Sequence, residues 1–198
     1  MPRITPVDYA TAEGRPKELL DAVKASLGAT PNMTTTMARS TVLDGWLSLS
    51  RALRKGSISA ANGERIALGV AEANGCAYCL SAHSYLGANV AKLDADELEK
   101  ARHFQSSDRN ATAILAFAEA VVRTQGGVSD TDIEAARDAG LSDAELGDVV
   151  GHVALNVLTN YFNRAFDVDI DFPVVEPHEH VAINDSPIST SERRIALP

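Results

Sequence analysis

At 198 residues, with 45% hydrophobic and 23% charged side chains, the chain suits one domain with its own core and an ordinary globular composition. A formal net charge of −9 excludes a general binder of nucleic acid or anionic membrane, because nothing offsets phosphate repulsion. The N-terminus MPRITPVDYATAEGRP has no apolar leader core and no run of eighteen apolar residues occurs, so no membrane partner is expected and the cytoplasm is the expected compartment.

Residues 1–15 read as irregular, broken by Pro2, Pro6 and Gly14. Pro16 then starts a helix with Leu19, Leu20, Val23 and Leu27 at helical spacing and Gly28 as its stop. Pro31 opens a short helix through Met37. TVLDGWLSLSRALRKG gives another, with Val42, Trp46, Leu49 and Leu53 expected on its packing face and Gly56 as its end. Ser59 or Asn62 caps the next helix, which carries Glu64; its segment Ile66 to Ala71 is apolar nearly all round, as only a buried helix can be. A turn at Asn74-Gly75 leads into a helix that begins with Cys76-Ala77-Tyr78-Cys79. Leu93 to Phe104 forms a short helix introduced by Asp94, and Asp108 caps a longer one closed by Gly126-Gly127. Ser129 and Ser142 begin two more, the second long and strongly apolar. From Asp167 the texture becomes proline-dotted and polar. The expectation is an all-α domain over residues 1–170, an irregular bundle of about eight helices, followed by an extended tail over 171–198.

Cys76 and Cys79 are the only cysteines, and His83 follows four residues after the second. Helical periodicity puts 76, 79, 83 and 87 along one stripe. A thiolate is the nucleophile, and the first turn of a helix favours negative charge there; Asn74 or Gly75 as the cap would place both cysteines in that turn. Residues three apart in a helix have Cα atoms roughly 5 Å apart, within the reach of a disulfide. His83 can exchange a proton with Cys79. A zinc site is the main rival, but Cys76, Cys79 and His83 make three ligands and no second CxxC closes the set. Helical flanks disfavour a thioredoxin fold. Glu64 opens a segment too apolar to be exposed and can orient His83; Glu72 reads as a surface acid.

At these positions the sequence resembles the carboxymuconolactone decarboxylase family, and within it the AhpD-like, peroxidase-related branch. Glu64 stands twelve residues before Cys76, and His83 four after Cys79, as in that branch; ANGCAYC, SAHS and LNVLTNYFNRAFDVDIDFP are similar too. The resemblance covers roughly residues 35 to 175. It implies an all-α fold, assembly as dimers, trimers or hexamers, and no cofactor. Cys79 would attack a hydroperoxide and become a sulfenic acid, Cys76 would resolve it to a disulfide, and Glu64 with His83 would form the proton relay. A dithiol or thioredoxin-like partner would reduce the disulfide. Tyr78 departs from the pattern, since the best-characterised peroxidases carry a histidine between the cysteines, and tyrosine cannot share protons near neutral pH. The alternatives are a CxxC disulfide reductase or redox sensor with no peroxide substrate, and a non-redox metal-binding or oligomeric scaffold.

Several residues have plainer readings. His152 in the long apolar helix is expected as a hydrogen-bonded core histidine, His103 as a surface residue at a helix end, and Trp46 as core. His178 and His180 form an HxH that could take a metal but reads as solvated. Asn156, Asn160 and Asn163, with Tyr161, are expected to hydrogen-bond across a subunit contact.

Overall fold

A computed structural model describes residues 2–178, and among these the secondary structure is nine α-helices with no strand. They are α1 Gly14–Leu27, α2 Asn32–Met37, α3 Val42–Leu53, α4 Ala60–Ala73, α5 Ala77–Asn89, α6 Ala95–Arg102, α7 Arg109–Thr124, α8 Asp130–Asp138 and α9 Asp143–Phe166. Their boundaries follow local chemistry. Ser59, Asp94, Asp108, Ser129 and Ser142 each accept a backbone N–H at a helix start, with reciprocal capping boxes at Ser129 and Ser142. Gly28 ends α1 at φ 77°, a conformation that costs a side chain energy and glycine almost none.

Helix α4 is the axle. From Ile66 to Glu72 every residue is buried, and the helix packs against α5, α6, α7 and α9. On one side lies a core that joins α1, α2 and α5 with the chain segment after α9; on the other, α4, α7, α8 and α9 share a second core around Ile66, Val70, Leu115 and Val149. Arg65 on α4 reaches Glu97 on α6 at 2.9 Å, and Ser106 and Ser107 donate to the same carboxylate. Those contacts hold the Glu97 carboxyl at about 2 against the desolvation that would raise it.

The inward face of α3 differs from the expected one. Leu43, Ser50 and Leu53 are buried, whereas Leu49 is exposed and Trp46 is half-buried against the first core. Leucines and the tryptophan occur on two overlapping stripes of this helix, so periodicity alone does not select one. After α9 the chain is extended and lies on the body as far as residue 178. Asn32 binds Asp169 O and the Asp171 carboxylate, Val175 N donates to Ser81 Oγ, and Arg102 donates to Glu176 O.

Gly69 lies where α4 packs tightly against the end of α6. A Cβ there would lie 2.6 Å from Phe104 Cε1 and 3.0 Å from Ala101 O. Alanine gains about 1 kcal/mol of helix propensity, but overpacking against a ring and a fixed carbonyl costs about 1–3 kcal/mol. Gly69→Ala is therefore expected to lower stability in denaturant unfolding, against the sign that propensity alone gives.

Candidate active site

The turn between α4 and α5 sets the position of both sulfurs. Gly75 takes φ 61°, Gly75 N donates to Glu72 O, and Cys76 N donates to Ala71 O, the paired bonds of a Schellman ending. The same Cys76 is the N-cap of α5, with its Sγ accepting from Cys79 N at 3.3 Å. The cap is thus the first cysteine itself, rather than Asn74 or Gly75, and only Cys79 lies inside the first turn. Cys76 and Cys79 form a disulfide across a Cα separation of 5.3 Å.

Around this pair the structure gathers groups from three helices. One turn beyond Cys79 on α5, His83 Nδ1 lies 2.8 Å from Glu64 Oε2 of α4. Both side chains are 23% exposed, so the pair borders solvent while the sulfurs do not. From α9, Asn163 Nδ2 donates to Cys79 Sγ at 3.3 Å, and its Oδ1 is buried without a partner among the described residues. Such an amide dipole stabilises negative charge on the sulfur. Beside Cys76 lies an open cleft of about 410 Å³ whose walls include Gly75, Tyr78, Asn163, Arg164 and Asp167. Cys76 lines it and Cys79 does not.

The three asparagines of α9, expected at a subunit contact, find their partners within the chain itself. Asn156, Asn160 and Asn163 are buried against the chain's own body: Asn156 donates to His152 O, Asn160 accepts from Asn74, and Asn163 meets Cys79. Tyr161, between them in sequence, is 58% exposed. The 4-then-3 spacing of the asparagines was the available signal, since it sets them on one stripe facing inward. Glu72 also departs from its surface reading. It is 3% exposed; burial opposes its charge, but Arg102 Nε at 2.7 Å and the His178 N–H at 2.7 Å outweigh that and hold the carboxyl below its usual range.

His152 is half-buried beside Gly63 of α4, and its Nε2 has no hydrogen-bond partner among the described residues, contrary to the bonded core histidine expected. Burial disfavours its charged form, and Asp148 and Glu64 only partly oppose this. His103 is exposed as expected, but His178 is not simply solvated, since its ring stacks on His103 at 5.0 Å. His180 lies outside the described residues.

Tyr78 is buried, with its hydroxyl donating to Asp171 Oδ1 at 2.9 Å and accepting from Met33 N at 3.1 Å. Its ring meets Phe172 edge-on at 5.9 Å. Burial first, and the Asp171 carboxylate with it, push its ionisation far above the ordinary tyrosine value. It fastens the chain after α9 to the helix of the cysteines, and it takes no part in proton exchange near neutral pH.

The profile of the Carboxymuconolactone decarboxylase family matches residues 41–123, which span Glu64, both cysteines and His83. That region is similar to the carboxymuconolactone decarboxylase family. The fold is AhpD-like. It is similar to the AhpD-core, uncharacterized peroxidase-related protein of Ralstonia eutropha JMP134, with a TM-score of 0.76, 23% identity, and coverage of 86% of this chain and 92% of that one. A peroxidase-related protein of Silicibacter sp. TM1040 gives 0.69 at 24% identity, covering 83% and 91%. The debrominase Bmp8 gives 0.70 at 20%, covering 85% and 91%. Among curated proteins none matches at a significant level. No helix of the described residues is long and apolar enough to cross a membrane.

Two substitutions separate the roles of these side chains. Tyr78→Phe strands the Met33 N–H and the Asp171 carboxylate at a cost of about 1–3 kcal/mol. It should lower Tm while leaving the pH profile of cysteine reactivity unchanged. Asn163→Ala should leave Tm nearer wild type and slow alkylation of Cys79 in the reduced protein by about fivefold, since it removes a hydrogen bond to a charged sulfur.

Proposed function

We propose that this protein is a thiol-dependent hydroperoxide reductase in which Cys79 attacks, Cys76 resolves, and Glu64 with His83 moves the proton. The observation that carries this reading is the 2.8 Å contact of His83 with Glu64 one helical turn from a cysteine that already has its disulfide partner at hand. In the reduced enzyme His83 takes the Cys79 proton, and Glu64 steadies the resulting imidazolium. The thiolate attacks the terminal oxygen of ROOH, the O–O bond breaks, and the departing alkoxide takes the proton back from His83 as ROH. The Cys79 sulfenic acid then condenses with the Cys76 thiol, releasing water and forming the disulfide. Asn163 supports the thiolate through Nδ2, and its unpartnered Oδ1 is available to accept the hydroperoxide hydrogen.

A dithiol or thioredoxin-like reductant closes the cycle, with the sum ROOH + dithiol → ROH + H₂O + disulfide. Cys76 is the cysteine that lines the cleft, so the incoming thiol reaches the disulfide from that side and attacks Cys76, and Cys79 leaves as a thiolate supported by Asn163 and the start of α5. This cycle suits a reducing compartment such as the cytoplasm. Self-association as a dimer, trimer or hexamer fits Val150, Leu158 and Tyr161, large apolar residues that α9 leaves 46%, 39% and 58% exposed.

The test is peroxide consumption with a dithiol reductant. Wild type should turn over. Cys79→Ser should not, Cys76→Ser should stop after one stoichiometric reaction, and Glu64→Gln should fall by about tenfold or more. Unchanged turnover in both cysteine variants removes the reading. Rapid thiol–disulfide exchange without peroxide loss replaces it with a disulfide reductase, and consumption of 2,3,4-tribromopyrrole in place of peroxide replaces it with the chemistry of the similarly folded debrominase.

A further inference from the structure

Away from the cysteines, α6 and the chain after α9 bring together a second set of chemically able side chains. Glu99 lies on α6, His103 four residues on caps that helix's C-terminus, and His178 arrives from the segment after α9. His103 Nε2 lies 3.3 Å and His178 Nε2 3.1 Å from the same oxygen, Glu99 Oε1. All three donor atoms fall within 4.8 Å of one another. Ligands at about 2.0–2.1 Å from a tetrahedral zinc stand roughly 3.3–3.4 Å apart, so the two separations from Glu99 Oε1 match that spacing and the third donor pair lies within reach of the same ion.

The surroundings prepare each donor. His178 Nδ1 lies 3.3 Å from Oε1 of the buried Glu72, which leaves Nε2 to face Glu99. A ligating histidine whose other ring nitrogen is held by a carboxylate is the usual outer arrangement of a protein metal site. Glu99 Oε2 is held by Arg102 at 3.3 Å, which leaves Oε1 free to point at both imidazoles. Arg102 is itself paired with Glu72 at 2.7 Å, so the two carboxylates and one guanidinium leave the neighbourhood net negative. With Glu99 and His103 each 52% and His178 43% exposed, an ion can enter and keep water in the open position.

We propose that Glu99, His103 and His178 form a binding site for a divalent transition-metal cation of the zinc type. Bound there, the ion clips the segment after α9 to α6, closing a band that crosses α5 at Tyr78 and Ser81 and α4 at Glu72. No thiol takes part, so the site is separate from the redox pair.

The experiment titrates Zn²⁺ into untagged, full-length, oxidised protein against a chromophoric chelator, with the disulfide keeping both sulfurs out of the count. One Zn²⁺ per chain is expected, with affinity falling at least tenfold in each of Glu99→Gln, His103→Ala and His178→Ala. Zn²⁺ should raise the Tm of wild type and of Cys79→Ser, but not of His178→Ala, and Co²⁺ should give a spectrum without sulfur charge transfer. Absence of binding, or affinity unchanged in the two histidine variants, overturns the site and leaves two imidazoles in contact with Glu99 and no ion. Neither result bears on peroxide turnover.

Discussion

Helix α4 has almost no solvent face, and the rest of the molecule is arranged to satisfy that. Seven successive residues, Ile66 to Glu72, are buried, so four other helices must surround them. The helix nevertheless carries two carboxylates, Glu64 near its start and Glu72 near its end. An unpaired buried carboxylate costs several kcal/mol, far more than any difference in helix propensity, so the buried Glu72 must find a partner, and the half-buried Glu64 gains from one, each across a helix boundary. Glu64 takes His83 from α5, and Glu72 takes Arg102 from α6 with the His178 amide. Apolar packing brings the helices together, and the two carboxylates set how α5 and α6 are turned towards α4.

One consequence is the asymmetry of the cysteines. Gly75 lets α4 end and α5 begin with only three residues between them, and the bond from Cys76 N to Ala71 O ties the first cysteine's backbone to the buried wall of α4. Both cysteines are buried, but Cys76 lines the cleft while Cys79 Sγ accepts a hydrogen bond from Asn163. Two thiols three residues apart in sequence thus have different surroundings. A redox pair needs such a difference, because the sulfur that a reductant attacks and the sulfur that leaves have opposite requirements.

The sequence carried much of this in plain form. Capping residues such as Ser59, Asp94 and Ser142 state their helices because one side chain and one N–H decide the matter locally. The pairing of Glu64 with His83 was legible only as a possibility, since it depends on the crossing of two helices. The intramolecular partners of Glu72 and of the asparagines of α9 are hidden from the sequence for a common reason. Polar side chains on apolar helices suggest either water or another subunit when the intramolecular partner is distant in sequence. Arg102 is 30 residues from Glu72, and Cys79 is 84 from Asn163. On α3, two competing leucine stripes left the choice of face to packing, and packing chose Leu43 over Leu49.

Tyr78 shows how a residue between two reactive cysteines can serve structure instead of chemistry. Its hydroxyl is occupied at both ends, by Asp171 as acceptor and Met33 N as donor, and its ring is closed over by Phe172. A histidine there could not hold both contacts from the same atom, because each neutral ring nitrogen either donates or accepts. Proton handling near the sulfurs therefore rests on His83 and Glu64, with the intervening position given over to anchoring. The same anchor lies on the path of the segment after α9, which continues to Ser81 and, at His178, reaches Glu72 and Glu99. Any change that loosens residues 171–178 is felt first at Tyr78, in the turn that carries Cys79.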